Sequence, residues 1–239
     1  MTLGDLLASL FPDGQEIKNE AGLLLGSAPM GRNEKALVIG VSGRTPLGID
    51  EAIRLSGHVL ASLGSGTGPI IVIVDSDSQR MSRRDELLGL NEFLSHLAKC
   101  LLYADMNGRP TIGILYGHTA AGAFLATALA TRVLVGLPGG DPAVMDLPSM
   151  SKVTKLSIEV LQEKAKSTPV FAPGLENLAQ TGAVHLLWDE KKALADQLDE
   201  LLRDLPDAVD KRGDLGQARK GRLKAGPIAE RVYELAVAR

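Results

Sequence analysis

Short apolar runs rich in branched residues recur along this chain, and they constrain its fold more than any other feature. The runs cover residues 36–41, 69–74, 111–116 and 133–135. Each is apolar at consecutive positions, which is typical of strands buried on both faces of a parallel sheet. Segments with helical spacing lie between them, most clearly at 49–63 and 87–101. This alternation predicts an α/β fold with right-handed crossovers.

The rest of the chain completes one predicted domain over residues 1–239. Further helical patterns are expected at 119–130, 151–166, 174–181, 189–203 and 226–238, with a short apolar stretch at Val184–Trp188. Residues 1–34 have no clear period and are expected to be irregular. Residues 207–226 are rich in Lys, Arg, Asp and Gly. We expect a basic loop there, so that 207–239 form a loop followed by a last helix.

The composition excludes several classes of protein. A net charge of -3 gives no basic footprint for general nucleic-acid binding. The single cysteine, Cys100, excludes an internal disulfide, and its apolar neighbours predict a buried thiol. No metal-ligand spacing is found among the histidines, which are His58, His96, His118 and His185. Without an export signal or a membrane-length apolar run, a soluble cytoplasmic protein is expected.

One glycine-rich motif carries no chemistry in this interpretation. The run Gly64-Ser-Gly-Thr-Gly68 precedes a strand, whereas a dinucleotide fingerprint lies between the end of a strand and the start of a helix. We interpret it as a turn. The chain also lacks a Walker sequence and a Gly-x-Ser-x-Gly elbow, which argues against an α/β-hydrolase.

Two segments are candidates for a functional site. In Tyr116–Phe124 a strand ends, a glycine turn follows, and a helix of small residues begins. Free N–H groups at such a helix start bind oxyanions, although tight packing against a strand explains the same residues equally well. The polar segment Asp75–Asp85 follows the end of another strand, where open α/β sheets bind ligands. A solvated loop is the alternative there.

Together the two segments resemble the crotonase superfamily, and more narrowly its carboxyltransferase branch. The run Ala120-Ala-Gly-Ala-Phe124 lies where that branch has a Gly-Gly-Ala-Tyr-like turn. A later stretch of the branch is matched by Pro138, Ala143, Val144 and Met145, although Arg132 stands where an acid is usual. Over residues 30–205 the chain resembles the gamma subunits of biotin-independent malonate decarboxylases.

This resemblance implies a crotonase-like (ClpP/crotonase) spiral of β-β-α units. It also implies a reaction in which a malonyl thioester on an acyl-carrier subunit becomes an acetyl thioester and CO2. The site would be shared with a homologous beta subunit, and an acyltransferase subunit would belong to the same complex. The substrate would be carried on the phosphopantetheine-type group of the carrier, and neither biotin nor a directly bound cofactor would take part.

The resemblance also implies roles for individual residues. The backbone N–H groups of Ala121 and Gly122 would hold an oxyanion, with the backbone of 78–81, which includes Gln79, as the second donor. His118 would orient the substrate or protonate the enolate, unless it is only a turn residue. Arg80 would bind the free carboxylate, for which a guanidinium is well shaped. The other expected substrate contacts are Ser78, Met81, Gly117 and Thr119.

Several alternatives stay open. Ala121 stands where glycine is common and 75–85 has no glycine, so this half would bind either the thioester oxygen or the free carboxylate. A stand-alone acyl-CoA hydratase or isomerase would need a catalytic carboxylate, and Asp141 is the only acid near the second turn. A non-catalytic scaffold subunit is the other alternative. The basic residues of 211–224 would dock an acidic carrier or a partner, or form a solvated connector.

Overall fold

The computed structural model describes residues 1–31, 34–64, 66, 68–168 and 173–238. Its strands are β1 (Glu16–Glu20), β2 (Leu23–Met30), β3 (Glu34–Leu47), β4 (Ile70–Gln79), β5 (Thr111–Leu115), β6 (His118–Ala120), β7 (Val133–Gly136), β8 (Asp141–Ala143) and β9 (Leu186–Leu187). Its helices are α1 (Leu3–Leu10), α2 (Ile49–Ser62), α3 (Arg83–Leu87), α4 (Leu90–Met106), α5 (Ala121–Ala126), α6 (Leu147–Thr154), α7 (Ile158–Ala165), α8 (Leu175–Gln180), α9 (Leu194–Arg203), α10 (Arg212–Ala218) and α11 (Ala225–Val237). A short 3-10 helix spans Ala128–Ala130.

The main sheet confirms the predicted parallel core. Its strand order is β1-β2-β3-β4-β5-β7-β9, antiparallel from β1 to β3 and parallel from β3 to β9. Successive residues of β4 point to opposite faces, because Ile70 and Val72 join one core cluster whereas Ile71 and Ile73 join the other. Helices α2, α4 and α5 cover the first face, and α1 and α9 cover the second. Because β4 and β5 are adjacent and parallel, their carboxyl ends lie side by side at one edge of the sheet.

The prediction of an irregular segment at 1–34 is wrong. This segment forms α1 and a hairpin of β1 and β2 that extends the sheet. A capping box between Thr2 and Asp5 starts α1, and Leu6 and Leu10 pack under the sheet. β1 is almost entirely exposed, with Ile17 as its half-buried residue. It lacks the apolar run from which the other strands were predicted.

Other segments differ from the predictions as well, and the helix predicted at 151–166 is divided into α6 and α7. The polar residues 75–79 continue β4 as a strand, because they pair with the bulged end of β3. The predicted helix at 119–130 is divided into β6, α5 and the 3-10 helix, and β6 pairs with β8 in a small second sheet. The expected loop at 207–226 contains α10. The expected turn at 64–68 lies partly outside the described residues.

Two predictions about buried and apolar segments can also be compared with the structure. Cys100 is buried in the core of α4, as predicted. Among the helices that the structure describes, none is both long enough and apolar enough to cross a membrane.

Candidate functional site

The candidate site is a turn at residues 117–122, which follows β5 and lies beside the end of β4. Three side chains of β4 contact the turn, and they belong to Asp75, Ser76 and Gln79. The strand extension that the sequence did not reveal is thus what holds the turn in place. These three residues are called the clamp below.

The Asp75 carboxylate binds β4 to the turn and to residues 43–44 of β3. One oxygen, Oδ1, accepts the N–H of His118 at 3.1 Å. The other, Oδ2, accepts the N–H groups of Gly43 at 3.0 Å and Arg44 at 3.3 Å. A side chain at Gly117 would collide with this carboxylate. Gly117 is therefore required for the close approach of strand and turn, and no substrate contact is needed to explain it.

The other two clamp residues bind the turn further along. The Ser76 and Thr119 hydroxyls are 2.9 Å apart, and both side chains are buried. Gln79 Oε1 accepts the backbone N–H of Gly122 at 2.9 Å. A Cβ at Gly122 would lie 3.1 Å from that oxygen. The N–H that the resemblance assigned to an oxyanion is therefore already bonded within this chain. It can reach a substrate only if the Gln79 side chain moves.

Ala121 has an unusual backbone conformation. Its φ of 47° lies in the left-handed region, which costs a residue with a Cβ roughly 1–2 kcal/mol. Ala120 before it is extended, with φ of -141°. The sharp change of direction between them starts α5 and points the Gly122 N–H at Gln79. A glycine would adopt this conformation without that cost.

His118 is paired with an acid from the second sheet. Its Nδ1 lies 3.0 Å from Asp141 Oδ2, and the two residues are register partners of β6 and β8. The His118 side chain is 22% exposed and that of Asp141 is 64% exposed. Because a carboxylate only accepts, Nδ1 carries the hydrogen, and Nε2 is the nitrogen available to another molecule.

Arg80 has partners that the sequence did not indicate. Its guanidinium pairs with Glu51 at 2.5 Å and lies 3.8 Å from Asp85, whose carboxylate is buried. Arg84 pairs with Asp50 of the same helix, α2. These contacts tie the end of β4 to the start of α2, so Arg80 would bind a substrate carboxylate only by leaving them. Ser78 donates its hydroxyl hydrogen to its neighbour's carbonyl, and Met81 is 80% exposed.

The remaining histidines have local explanations. Burial lowers the pKa of His185 to about 4, so the imidazole is neutral near pH 7. Its Nδ1 accepts the Leu134 N–H at 3.1 Å. His58 Nδ1 lies 3.0 Å from the Arg54 carbonyl oxygen, one turn earlier in α2. His96 lies 3.5 Å from the Cys100 sulfur. The part of the chain that the structure describes contains no cluster of three or more His, Cys, Asp or Glu residues that could hold a metal ion.

The basic segment 211–224 divides into internal and external cations. Arg219 donates to the carbonyls of Ala179, Val184 and His185 at 2.7 to 2.8 Å. These bonds hold the end of α10 against the connection between α8 and β9. Arg212 donates to the Leu129 carbonyl and pairs with Asp210. Lys211 is exposed and pairs with Asp207 at 3.4 Å. The other exposed cations are Lys220, Arg222 and Lys224. The segment is thus more than a solvated connector.

Comparisons with known proteins agree with this architecture. The family model described as malonate decarboxylase gamma subunit matches residues 42–236. A malonyl-S-ACP:biotin-protein carboxyltransferase of Malonomonas rubra is 27% identical over 236 residues, covering 89% of this chain and 79% of that protein.

Solved structures are similar along most of the chain. A Pseudomonas malonate decarboxylase hetero-tetramer in complex with coenzyme A has a TM-score of 0.78 at 21% identity, covering 97% of this chain and 98% of that chain. The Pseudomonas MdcD-MdcE hetero-dimer has a TM-score of 0.74 at 22% identity over the same shares. Transcarboxylase 12S has a TM-score of 0.69 at 16% identity, covering 84% of this chain and 39% of that chain. The predicted crotonase-like fold of the carboxyltransferase branch is confirmed.

Proposed function

Because this chain belongs to the malonate decarboxylase gamma subunit family, we propose that it acts in a complex that decarboxylates a malonyl thioester held by an acyl-carrier subunit. The observation that carries the proposal is the clamped turn at 117–122, which lies within the matched residues 42–236. The bond between the carboxyl carbon and the methylene breaks and CO2 leaves. The electron pair forms the thioester enolate, and a proton on the methylene then gives the acetyl thioester.

The proposed partner is a homologous beta subunit, which would hold the carrier's phosphopantetheine-type arm. An acyltransferase subunit would complete the complex. Helix α11 supports a heteromeric state, because none of its 13 residues is buried. Its exposed apolar residues Ile228, Val232 and Leu235 recur at spacings of four and three on one side of the helix. An isolated helix of this length is marginal in water, so a neighbouring subunit would stabilise it.

Within this chain, His118 is the proposed proton donor to the enolate carbon. Asp141 holds Nδ1–H and would stabilise the charged imidazolium, which leaves Nε2 toward the substrate. Ala121 shapes the turn, and the backbone of 78–81 lies beside it. Arg80 and Asp75 position β4 against α2 and the turn. Thr119 is buried and bonded to Ser76, so its proposed contact with substrate is through the backbone.

The isolated chain is expected to release almost no CO2 from a malonyl carrier, because half of the site is missing. Adding the beta subunit should restore turnover. The measurement is CO2 release by each subunit alone and by the mixture, with complex formation followed by mass. Full turnover by the chain alone would contradict the proposal that the site is shared with the beta subunit. Hydration of enoyl-CoA by the chain alone would instead favour the hydratase alternative, whose required carboxylate would be Asp141.

Three of the exposed cations of the basic segment provide a second test. We expect that changing Lys220, Arg222 and Lys224 to Glu raises the apparent KM for the acylated carrier about tenfold at low salt, because a charged patch steers encounter. The effect should shrink at high ionic strength, where these charges are screened. Arg219 is left unchanged because it binds three backbone carbonyls within the fold. Reversing exposed lysines elsewhere is the control, using Lys18, Lys191 and Lys192. An equal rise in KM in the control would remove the patch from carrier binding.

A further inference from the structure

The bond between Gly122 and Gln79 fixes the orientation of an amide group. A backbone N–H can only donate, so the oxygen of the Gln79 carboxamide must face Gly122. The amide nitrogen, Nε2, therefore faces away from the turn. Gln79 is the last residue of β4, and its backbone is held by pairing with Leu47 of β3. Strand pairing and the Gly122 bond together leave the carboxamide little freedom.

The Gln79 Nε2 group is poorly satisfied where it lies. Its contact in the described part of the chain is the Met81 sulfur at 3.9 Å, and a thioether is a weak acceptor. Met81 is 80% exposed, so this contact is easily displaced. Gln79 itself is only half-buried. Two N–H donors thus lie at the carboxyl end of β4, oriented but without a strong acceptor.

The neighbouring polar groups are committed to other contacts. The Asp75 carboxylate accepts three backbone N–H groups, and the Ser76 hydroxyl is bonded to Thr119. Arg80 is paired with Glu51 and lies close to Asp85. An anionic oxygen that enters this edge of the sheet would meet the Gln79 amide without breaking an ion pair or the clamp.

We propose that the Gln79 side-chain amide, oriented by the Gly122 N–H, is the hydrogen-bond donor that this chain contributes to the malonyl group. It would take the role that the resemblance assigned to the Gly122 N–H, and Gly122 would act through it as a positioning residue. The ligand is an anionic oxygen, either the malonyl carboxylate or the enolate oxygen. The inference rests on the proposed function.

The test uses the assembled complex with Gln79→Met and Gln79→Glu. Methionine keeps the length and removes the donor, so kcat should fall about 100-fold, the loss typical of one missing oxyanion donor. Glutamate can still accept the Gly122 N–H, which preserves the turn, but it has no donor and repels an anion. Its loss should be larger, with assembly and thermal stability unchanged. Gln180→Met on the exposed end of α8 is the matched control and should behave as wild type.

The two sources of the anionic oxygen are separated by malonate as a competitive inhibitor. A weaker malonate Ki in Gln79→Met, with KM raised, assigns the amide to the carboxylate. A lower kcat with an unchanged Ki assigns it to the enolate oxygen. Wild-type kcat and KM in both variants would overturn the proposal. Faster turnover in Gln79→Met would also overturn it, because Gln79 would then only block the turn. An inactive wild-type complex would instead contradict the proposed function itself.

Discussion

Replacing Gly122 with valine is expected to lower kcat of the assembled decarboxylase at least about 100-fold, because an oriented donor is lost. A Cβ at this position lies 3.1 Å from Gln79 Oε1 and 3.1 Å from a methyl group of Leu94. Valine adds two methyl groups beyond this already tight Cβ, so we expect it to displace the Gln79 carboxamide. The rate is measured on purified complex at saturating carrier, and assembly is checked by mass.

The matched control is Gly57→Val in α2, where a new Cβ would meet nothing within 4 Å. Both variants add the same side chain, but only one displaces a clamp residue. Unchanged kcat in a folded Gly122→Val complex would remove the turn from the site and favour the scaffold alternative. Loss of folding in Gly122→Val, with Gly57→Val intact, would favour the packing explanation of this glycine.

The parallel core could be predicted because burial on both faces leaves a local signal. Five consecutive branched residues, Ile70 to Val74, can be satisfied only inside a sheet covered on both sides. The β1–β2 hairpin gives no comparable signal, since β1 is almost entirely exposed. The turn between β1 and β2 consists of Ala21 and Gly22, which both have positive φ. A single glycine after a polar stretch is too common to identify such a turn.

The sequence did not predict the contacts between the two candidate segments. The resemblance assigned the turn and the 78–81 backbone to one oxyanion hole, and each segment follows a strand of the predicted sheet. It did not reveal that Asp75 and Gln79 bond to residues 43 positions away. Such pairs depend on the register between strands, which no local spacing encodes. The resemblance assigned Arg80 to the substrate carboxylate, yet Arg80 and Arg84 are paired with acids of α2.

The basic segment was misjudged for a related reason. A run of cations without a period predicts a solvated loop, and charge alone does not distinguish an exposed cation from a half-buried one that binds backbone carbonyls. Arg219 is half-buried because three carbonyls at the α8–β9 connection face it. A guanidinium has five donors in a fixed fork, so it can satisfy several carbonyls at once. Lys220, next in the chain, is exposed.

The second large effect is expected at Asp75. Asp75→Asn should lower the free energy of unfolding by about 2 kcal/mol, because hydrogen bonds to a charged acceptor contribute about 1.5–3 kcal/mol each. The carboxylate accepts three backbone N–H groups with two oxygens. An asparagine replaces one of those oxygens with an NH2 group, which would face an N–H donor. Urea unfolding of the purified chain measures the loss.

Asp77→Asn is the matched control, two residues further along the same strand. Its carboxylate forms an exposed pair with Arg44 at 3.5 Å, and such surface pairs contribute about 0–1 kcal/mol. Equal destabilisation by the two variants would show that Asp75 is an ordinary surface charge. If Asp75 positions the turn, the Asp75→Asn complex should also lose kcat at a temperature where it is fully folded. The reason is that the His118 backbone is bound directly to the Asp75 carboxylate.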